Sequence, residues 1–521
     1  MTKKYILLLL LLGFIVYFSS LFNGFVWDDE EQILNNTAVH SISSIPSFFF
    51  GSTFNTGGTG KLGGVYYRPL MMITFAVLYQ ISGAQAFLFH LVQLCLHLAI
   101  GILLFFLFKR FFKEPIAFFL AAIYLIHPIN VESVAYIAAI QDVAYVFFLM
   151  LILVYYLYGR QKITIKAMVI SGFMLCALLS KEVAITFIVP FIGYIYFHDR
   201  KHLKHYILAI IAPIILYIFM RFVVAQVYFI PFDFAPIVRT TLIQRILMIP
   251  TLFWSYIHTV LWPDHLSVMQ HWIVTKYSFS TLWGPLLIIL LLIAGVIWSL
   301  VKTKSSTLLF LLTMFVCGIS PYMQLFPLDM TVADRWFYYP FIGLLGIVGF
   351  YLASVFDRMN KTFFYIFVSV IVLAFSIRTI VRIQDWKSGY TLYSHDVLYS
   401  HNSFDLENNL GVELFRKGDI DNARKHFKKS TELAPTWWVN WNNLGATYER
   451  KHDLKTAEKY YKKALDNGDY YLAYQNYAGI LIKLNREQEA MNFLRDNAMH
   501  KFPYNATLVR MYEYLQGMGY N

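Results

Sequence analysis

An all-α membrane protein with a polar repeat array behind it is the fold class that three observations predict. First, 58% of the 521 residues are hydrophobic and only 14% charged, where soluble domains carry about 25% charged residues. Second, the apolar runs are long enough to cross a bilayer, and they end in short basic clusters. Third, the composition turns charged and polar after residue 383, and three segments there repeat with the helix–turn–helix period of 34 residues. The reading is a polytopic helical body of about eleven spans over 1–383, followed by a repeat superhelix over 384–521.

Lys3 and Lys4 precede the first apolar run, 5–22, which is read as a span. The competing reading, a cleaved signal peptide, puts bulky Phe18 where a cut after Ser20 needs a small residue. Basic clusters fall at 109–113, 159–162, 198–201, 302–304 and 357–361. With Lys3 and Lys4 they satisfy the positive-inside rule together, provided that 242–261 does not cross. Arg245 and Pro250 interrupt that stretch, so it is read as lying on or dipping into the outer leaflet. The acidic run at 28–31, Arg68, Glu132, Lys181, Glu182, Asp334, Arg335 and everything after Ile380 then share the external face. That face is outside a bacterial plasma membrane or, in a eukaryote, in the lumen of the endoplasmic reticulum. Short apolar runs at 116–126 and 167–179 predict helices that end below the outer surface and leave a cavity.

The net charge of +12 reports these basic loops and is not a nucleic-acid signal. Cys95, Cys176 and Cys317 lie inside apolar runs, so neither a disulfide framework nor a zinc spacing is present.

In the polar part, Asn408, Asn442 and Asn476 are in register, as are Gly411, Gly445 and Gly479. Ala423 matches Ala457, and Phe427 matches Tyr461. The second copy reads Trp441-x-x-Leu444-Gly445-x-x-Tyr448, which resembles the tetratricopeptide signature. Repeats are placed near 404–437, 438–471 and 472–505, with a capping helix at 506–518. The third copy degrades, Met491 and Arg495 standing at the Ala and aromatic positions. Such arrays form concave surfaces for extended peptides.

Asp28-Asp29-Glu30-Glu31 carries the chemistry. Four adjacent carboxylates repel one another and cannot lie in hydrocarbon, so folding alone does not favour them. Glycosyl transfer from a lipid-phosphate donor needs a carboxylate base, cations for the leaving phosphate and a groove for the lipid. Asp28 and Asp29 supply the base. Arg68 shares their loop, whose Gly/Thr-rich middle (52–64) is read as a flexible cover. Lys181 and Arg335 stand at span ends, each next to an acid, Glu182 and Asp334. The duller readings are surface acids for Glu30 and Glu31, snorkelling for Arg68, and ion pairs Lys181–Glu182 and Asp334–Arg335. Glu132 and Asp142 flank a membrane entry as unpaired acids, for which a functional or helix-locking role is the default.

Phe25-Val26-Trp27-Asp28-Asp29 with Asn35-Asn36, Tyr67-Arg68-Pro69-Leu70, and Phe89-His90-Leu91-Val92 come in a telling order. His127-Pro128 with Glu132, Gln141-Asp142, Ser180-Lys181-Glu182 and Ala333-Asp334-Arg335 follow. In combination these motifs resemble the transmembrane and tetratricopeptide-repeat O-mannosyltransferases. The resemblance implies a GT-C fold, a polyprenyl-phosphate monosaccharide donor and a Ser or Thr hydroxyl of an exported polypeptide as acceptor. It places the family's acidic pair on Asp28 and Asp29, with Asp28 as base. From the residues themselves, Asp29 is read as orienting the acceptor or the sugar, and Arg68, Lys181 and Arg335 as neutralising the leaving phosphate. Glu132, Asp142, Glu182, Asp334 and Tyr67 would support them. No cofactor is required; Mg²⁺ or Mn²⁺ could bind the adjacent acids, but no metal site is predicted. Gln141 and Asp334 depart from the usual family residues, Arg and Glu. Two rivals remain: an oligosaccharide ligase of the O-antigen type, which relies on a large late external loop where 324–336 is short, and a non-enzymatic scaffold, which needs one span rather than eleven.

Overall fold

The computed structural model describes residues 2–55, 62–229 and 235–520. Seven of its helices are long and apolar enough to cross a membrane, and an eighth crossing forms if the bent pair Glu114–Ile126 and Pro128–Ala135 is one span. Four shorter apolar helices, Pro69–Ser82, Glu182–His198, Ser306–Tyr322 and Pro340–Phe356, stand beside them, so the count of about eleven spans is roughly consistent with the structure. The chain is an integral multi-pass membrane protein. Leu242–Leu261 is helical but is not among the candidate spans. Thr241 and Gln244 close a capping box at its start, and it packs Met248, Leu252 and Tyr256 inward while Ile243 and Leu261 stay exposed.

Proline decides where one span stops. Pro128 lacks an N–H and cannot continue the preceding helix, so Glu114–Ile126 ends after 13 residues and the chain bends by 49°. The polar segment that follows, Asn130 to Asp142, is thereby folded into the protein. The expectation of a second short helix at 167–179 is corrected: the helix is Ile163–Ser180, 18 residues. Its first turn lies on the basic side, where Lys166 donates back to the carbonyl of Gly159 at 3.3 Å.

The polar part forms helix pairs Phe404–Arg416 with Ile420–Leu433, and Trp438–Arg450 with Leu454–Asn467. Tyr471–Lys483 and Glu487–Phe493 make the third, and Ala506–Gly517 caps the array. Glycine sets the closeness of the first two pairs. A Cβ on Gly411 would stand 2.7 Å from the Phe427 ring, and one on Gly445 would stand 2.8 Å from Tyr461. At Gly479 the nearest atom, in Met511, is 3.9 Å away, because Arg495 offers no ring there. Asp419 and Asp453 cap the second helices of the first two repeats on the amides of Asn422 and Thr456, at 3.3 and 3.2 Å. Caps of this kind contribute about 1 kcal/mol.

The change of composition at 383/384 marks no break in packing. Helix Lys361–Asp385 runs through it. Arg382 holds Asp396 with two hydrogen bonds of 2.6 and 2.9 Å, and Asp396 also accepts from the amide of Val268 at 2.8 Å. Trp386, Leu392, Leu406 and Leu410 belong to the apolar core of the membrane body. The first repeat is thus built into that body.

Candidate active site

Asp28 and Asp29 follow a residue in an unusual conformation. Trp27 has φ +58°, a left-handed backbone that costs a non-glycine residue about 1–2 kcal/mol. Its ring stacks on Tyr136 at 5.0 Å and faces the Arg335 guanidinium at 5.1 Å. The two aspartates then part company. Asp29 is fully buried and accepts from the amides of Val26 (2.9 Å) and Ala138 (2.7 Å). Its two oxygens tie the loop to itself and to the segment after Pro128, and Asp29 is not among the residues lining the cleft. Asp28 instead lines an open cleft. Desolvation pushes its carboxyl up to about 6, with Asp329 and Glu31 adding to the rise, while the Tyr136 hydroxyl and Arg335 hold it down.

The three predicted cations lie in one polar network, with partners different from those adjacent in sequence. Arg68 pairs with Glu182 at 3.1 Å and covers the Tyr66 ring at 4.1 Å. Lys181 pairs with Asp142 at 2.5 Å, both buried. Arg335 pairs with Glu132 through its side chain and also donates its backbone amide, at 3.1 Å. The expected pairs Lys181–Glu182 and Asp334–Arg335 do not form, and Glu132 and Asp142 are not unpaired. The cause at Lys181 is its extended backbone (φ −156°, ψ 131°), which sends successive side chains to opposite sides. Asp334 and Arg335 open a 3₁₀ turn, in which neighbours diverge by about 120°. Asp334 is buried, its carboxyl raised by desolvation and by Glu132, and it does not line the cleft. Tyr67 is fully buried, with its hydroxyl on the carbonyl of Phe49 at 3.3 Å. The cleft residue of that pair is Tyr66. Of the expected flexible cover, 56–61 lie outside the described residues.

The network still has capacity. Arg68 commits Nε and one terminal nitrogen to Glu182, Arg335 one side-chain nitrogen to Glu132, and Lys181 one of its three donors to Asp142. Spare N–H groups remain on all three. Asp142 Oδ2 is buried with no hydrogen-bond partner. Among the described residues, no three His, Cys, Asp or Glu side chains are grouped to hold a metal ion.

Above Asp28 the cleft has a volume of about 1410 Å³. The acidic loop forms its floor, and the inner face of the repeats, including Asn409, Asn443 and Tyr470, forms its wall. Arg416 of the first repeat clasps Glu30 through two bonds of 2.7 Å, and His271 joins Asp405 at 2.8 Å. Sequence reasoning missed Tyr136, Asp329 and Arg416, which carry no local signal. It also missed Asn409 and Asn443, whose signal was present: Asn-Asn doublets recur 34 residues apart.

Fold and site define a multi-pass membrane protein carrying a tetratricopeptide-type array docked over a polar centre. Residues 68–224 match the family of dolichyl-phosphate-mannose-protein mannosyltransferases, and 408–436 and 440–467 match the tetratricopeptide repeat. The human protein O-mannosyl-transferase TMTC3 is 23% identical over 80% of this chain and 50% of its own length. A Caenorhabditis elegans protein O-mannosyl-transferase is 24% identical over 83% of this chain and 63% of its own. Human TMTC1, also a protein O-mannosyl-transferase, is 32% identical over 24% of this chain. The chain spans about half to two thirds of the length of the curated relatives it matches along most of its sequence. The resemblance drawn from the motifs is borne out.

Proposed function

We propose that the protein is a membrane O-mannosyltransferase, moving mannose or a similar hexose from a polyprenyl phosphate to Ser or Thr of a polypeptide in the cleft. The observation that carries this reading is the position of Asp28, at the floor of a cleft wide enough for a polypeptide and beside Arg335 of the cation network. A base must reach the acceptor hydroxyl and hold a proton affinity suited to neutral pH. A carboxyl raised to about 6 is ionised at pH 7 and binds a proton more readily than an ordinary aspartate. In this scheme Asp28 takes the hydroxyl proton as the acceptor oxygen attacks the anomeric carbon. The bond from that carbon to the phosphate oxygen breaks with inversion, and the phosphate leaves with the electron pair.

Arg68, Lys181 and Arg335 offer their remaining N–H groups to that phosphate. Their existing carboxylate partners keep the site neutral before the donor arrives. Asp142 Oδ2 is an acceptor left over for a sugar hydroxyl. The cations meet the charge of the leaving group, so the scheme requires no added metal. The polar face is assigned to the external or lumenal side by the basic loops, which the positive-inside rule keeps on the other.

The test is transfer of labelled mannose from a polyprenyl-phosphate donor to a Thr peptide by the full chain in detergent, with and without a chelator. Asp28→Asn is expected to lower kcat by about 10²–10⁴-fold, and wild-type activity in that variant overturns the scheme. Ionisation of a carboxyl with a raised folded-state pKa opposes folding above that pKa. The neutral amide is therefore expected to melt no lower than wild type at pH 7, which separates lost chemistry from lost structure.

A further inference from the structure

We infer that the cleft takes an extended polypeptide segment by its backbone, and that it favours segments with cationic side chains next to the acceptor residue. The inference rests on the transferase reading for the word acceptor, but the binding it describes stands by itself.

The backbone claim comes from a chain of side-chain amides. Asn476 donates to Asn442 (2.9 Å), Asn442 to Asn443 (3.3 Å), Asn443 to Asn408 (2.9 Å) and Asn408 to Asn409 (3.1 Å). Asn409 ends the chain on the sulfur of Met269, in the membrane body, at 3.6 Å. All five bonds run in one direction, across three repeats and onto the body. Asn443 and Asn409 line the cleft. Each of these two spends one N–H and one lone pair in the chain, which leaves a second of each. A free N–H and a free carbonyl lone pair on one amide match the carbonyl and N–H that an extended peptide presents. The neighbours in the chain fix both amide orientations, so little ordering cost remains for the ligand. Such contacts do not distinguish side chains.

The charge claim comes from the lining. Glu30 and Glu413 are met by Arg416, Asp469 by Lys501 and Asp405 by His271. Asp28, Glu31 and Asp329 also line the cleft and make no salt bridge among the described residues. Both Glu31 and Asp329 raise the Asp28 carboxyl, so the three feel one another across the floor. An acidic segment entering here meets like charge, and a basic one relieves it.

The test is fluorescence anisotropy on the full chain in detergent, with short labelled peptides centred on Thr. Three forms are needed: Lys-flanked, Glu-flanked, and Lys-flanked with alternate backbone amides N-methylated. The Lys-flanked peptide is expected to bind about tenfold tighter than either of the others. Asn409→Ala with Asn443→Ala is expected to weaken the Lys-flanked peptide about tenfold and to abolish the difference that N-methylation makes. Equal binding of the Glu-flanked or the N-methylated peptide by wild-type protein overturns the inference, whether or not the double variant folds. Binding as expected with no sugar transfer to the Lys-flanked peptide upholds the cleft and overturns the transferase reading instead.

Discussion

The two polar regions on either side of Asp28 are built on opposite rules. Below it, each predicted cation is matched by a carboxylate, at least one partner of every pair is buried, and the charges cancel. Above it, the cleft is open and carboxylates outnumber cations on its floor. The first region is pre-paired, while the second leaves Asp28, Glu31 and Asp329 without a salt bridge among the described residues. A buried charge left without its partner is far costlier than one at a wet surface, so substitutions are expected to act through stability below Asp28 and through binding or proton affinity above it.

The sharpest way to break that contrast is Lys181→Met. It strands the buried Asp142 charge and is expected to cost about 3–5 kcal/mol, read as lost thermal stability in detergent. Lys181→Met with Asp142→Leu should recover most of it. If the single variant melts like wild type, the network is not the pre-paired scaffold described. Next comes pH. A base works ionised, so kcat/KM should fall as pH drops through about 6, and an acid limb near 4 would mean an unperturbed Asp28. Asp329→Asn removes one source of the rise in that carboxyl. It should shift the limb to lower pH by less than about one unit without lowering stability. The smallest effect belongs to Arg416→Ala. Its pair with Glu30 is half exposed, and its loss should cost no more than about 1 kcal/mol of stability.

Legibility in the sequence followed the same division. Charges inside an otherwise apolar chain have few reasons to be there, which is why Asp28, Arg68, Lys181 and Arg335 were visible. Their pairing was not, because adjacency suggested Lys181 with Glu182, whereas the extended backbone after Ser180 turns those two side chains apart. The resemblance separated Asp28 from Asp29, but the residues alone did not: nothing in two adjacent aspartates tells which one meets the amides of Val26 and Ala138. The repeats were plain from their period, and the degraded third copy was plain from Met491 and Arg495. The docking of the first repeat into the membrane body was hidden, since it depends on Trp386, Leu406 and Leu410 finding a core set by residues far away in the chain.

The glycine–aromatic interlock of the first two repeats is absent from the third, where a Cβ on Gly479 would meet nothing nearer than 3.9 Å. The end of the array seated on the membrane body is thus the closely keyed one, and the far end has room to spare. A methyl group added at Gly479 should therefore cost little, whereas one at Gly411 or Gly445 must displace a ring.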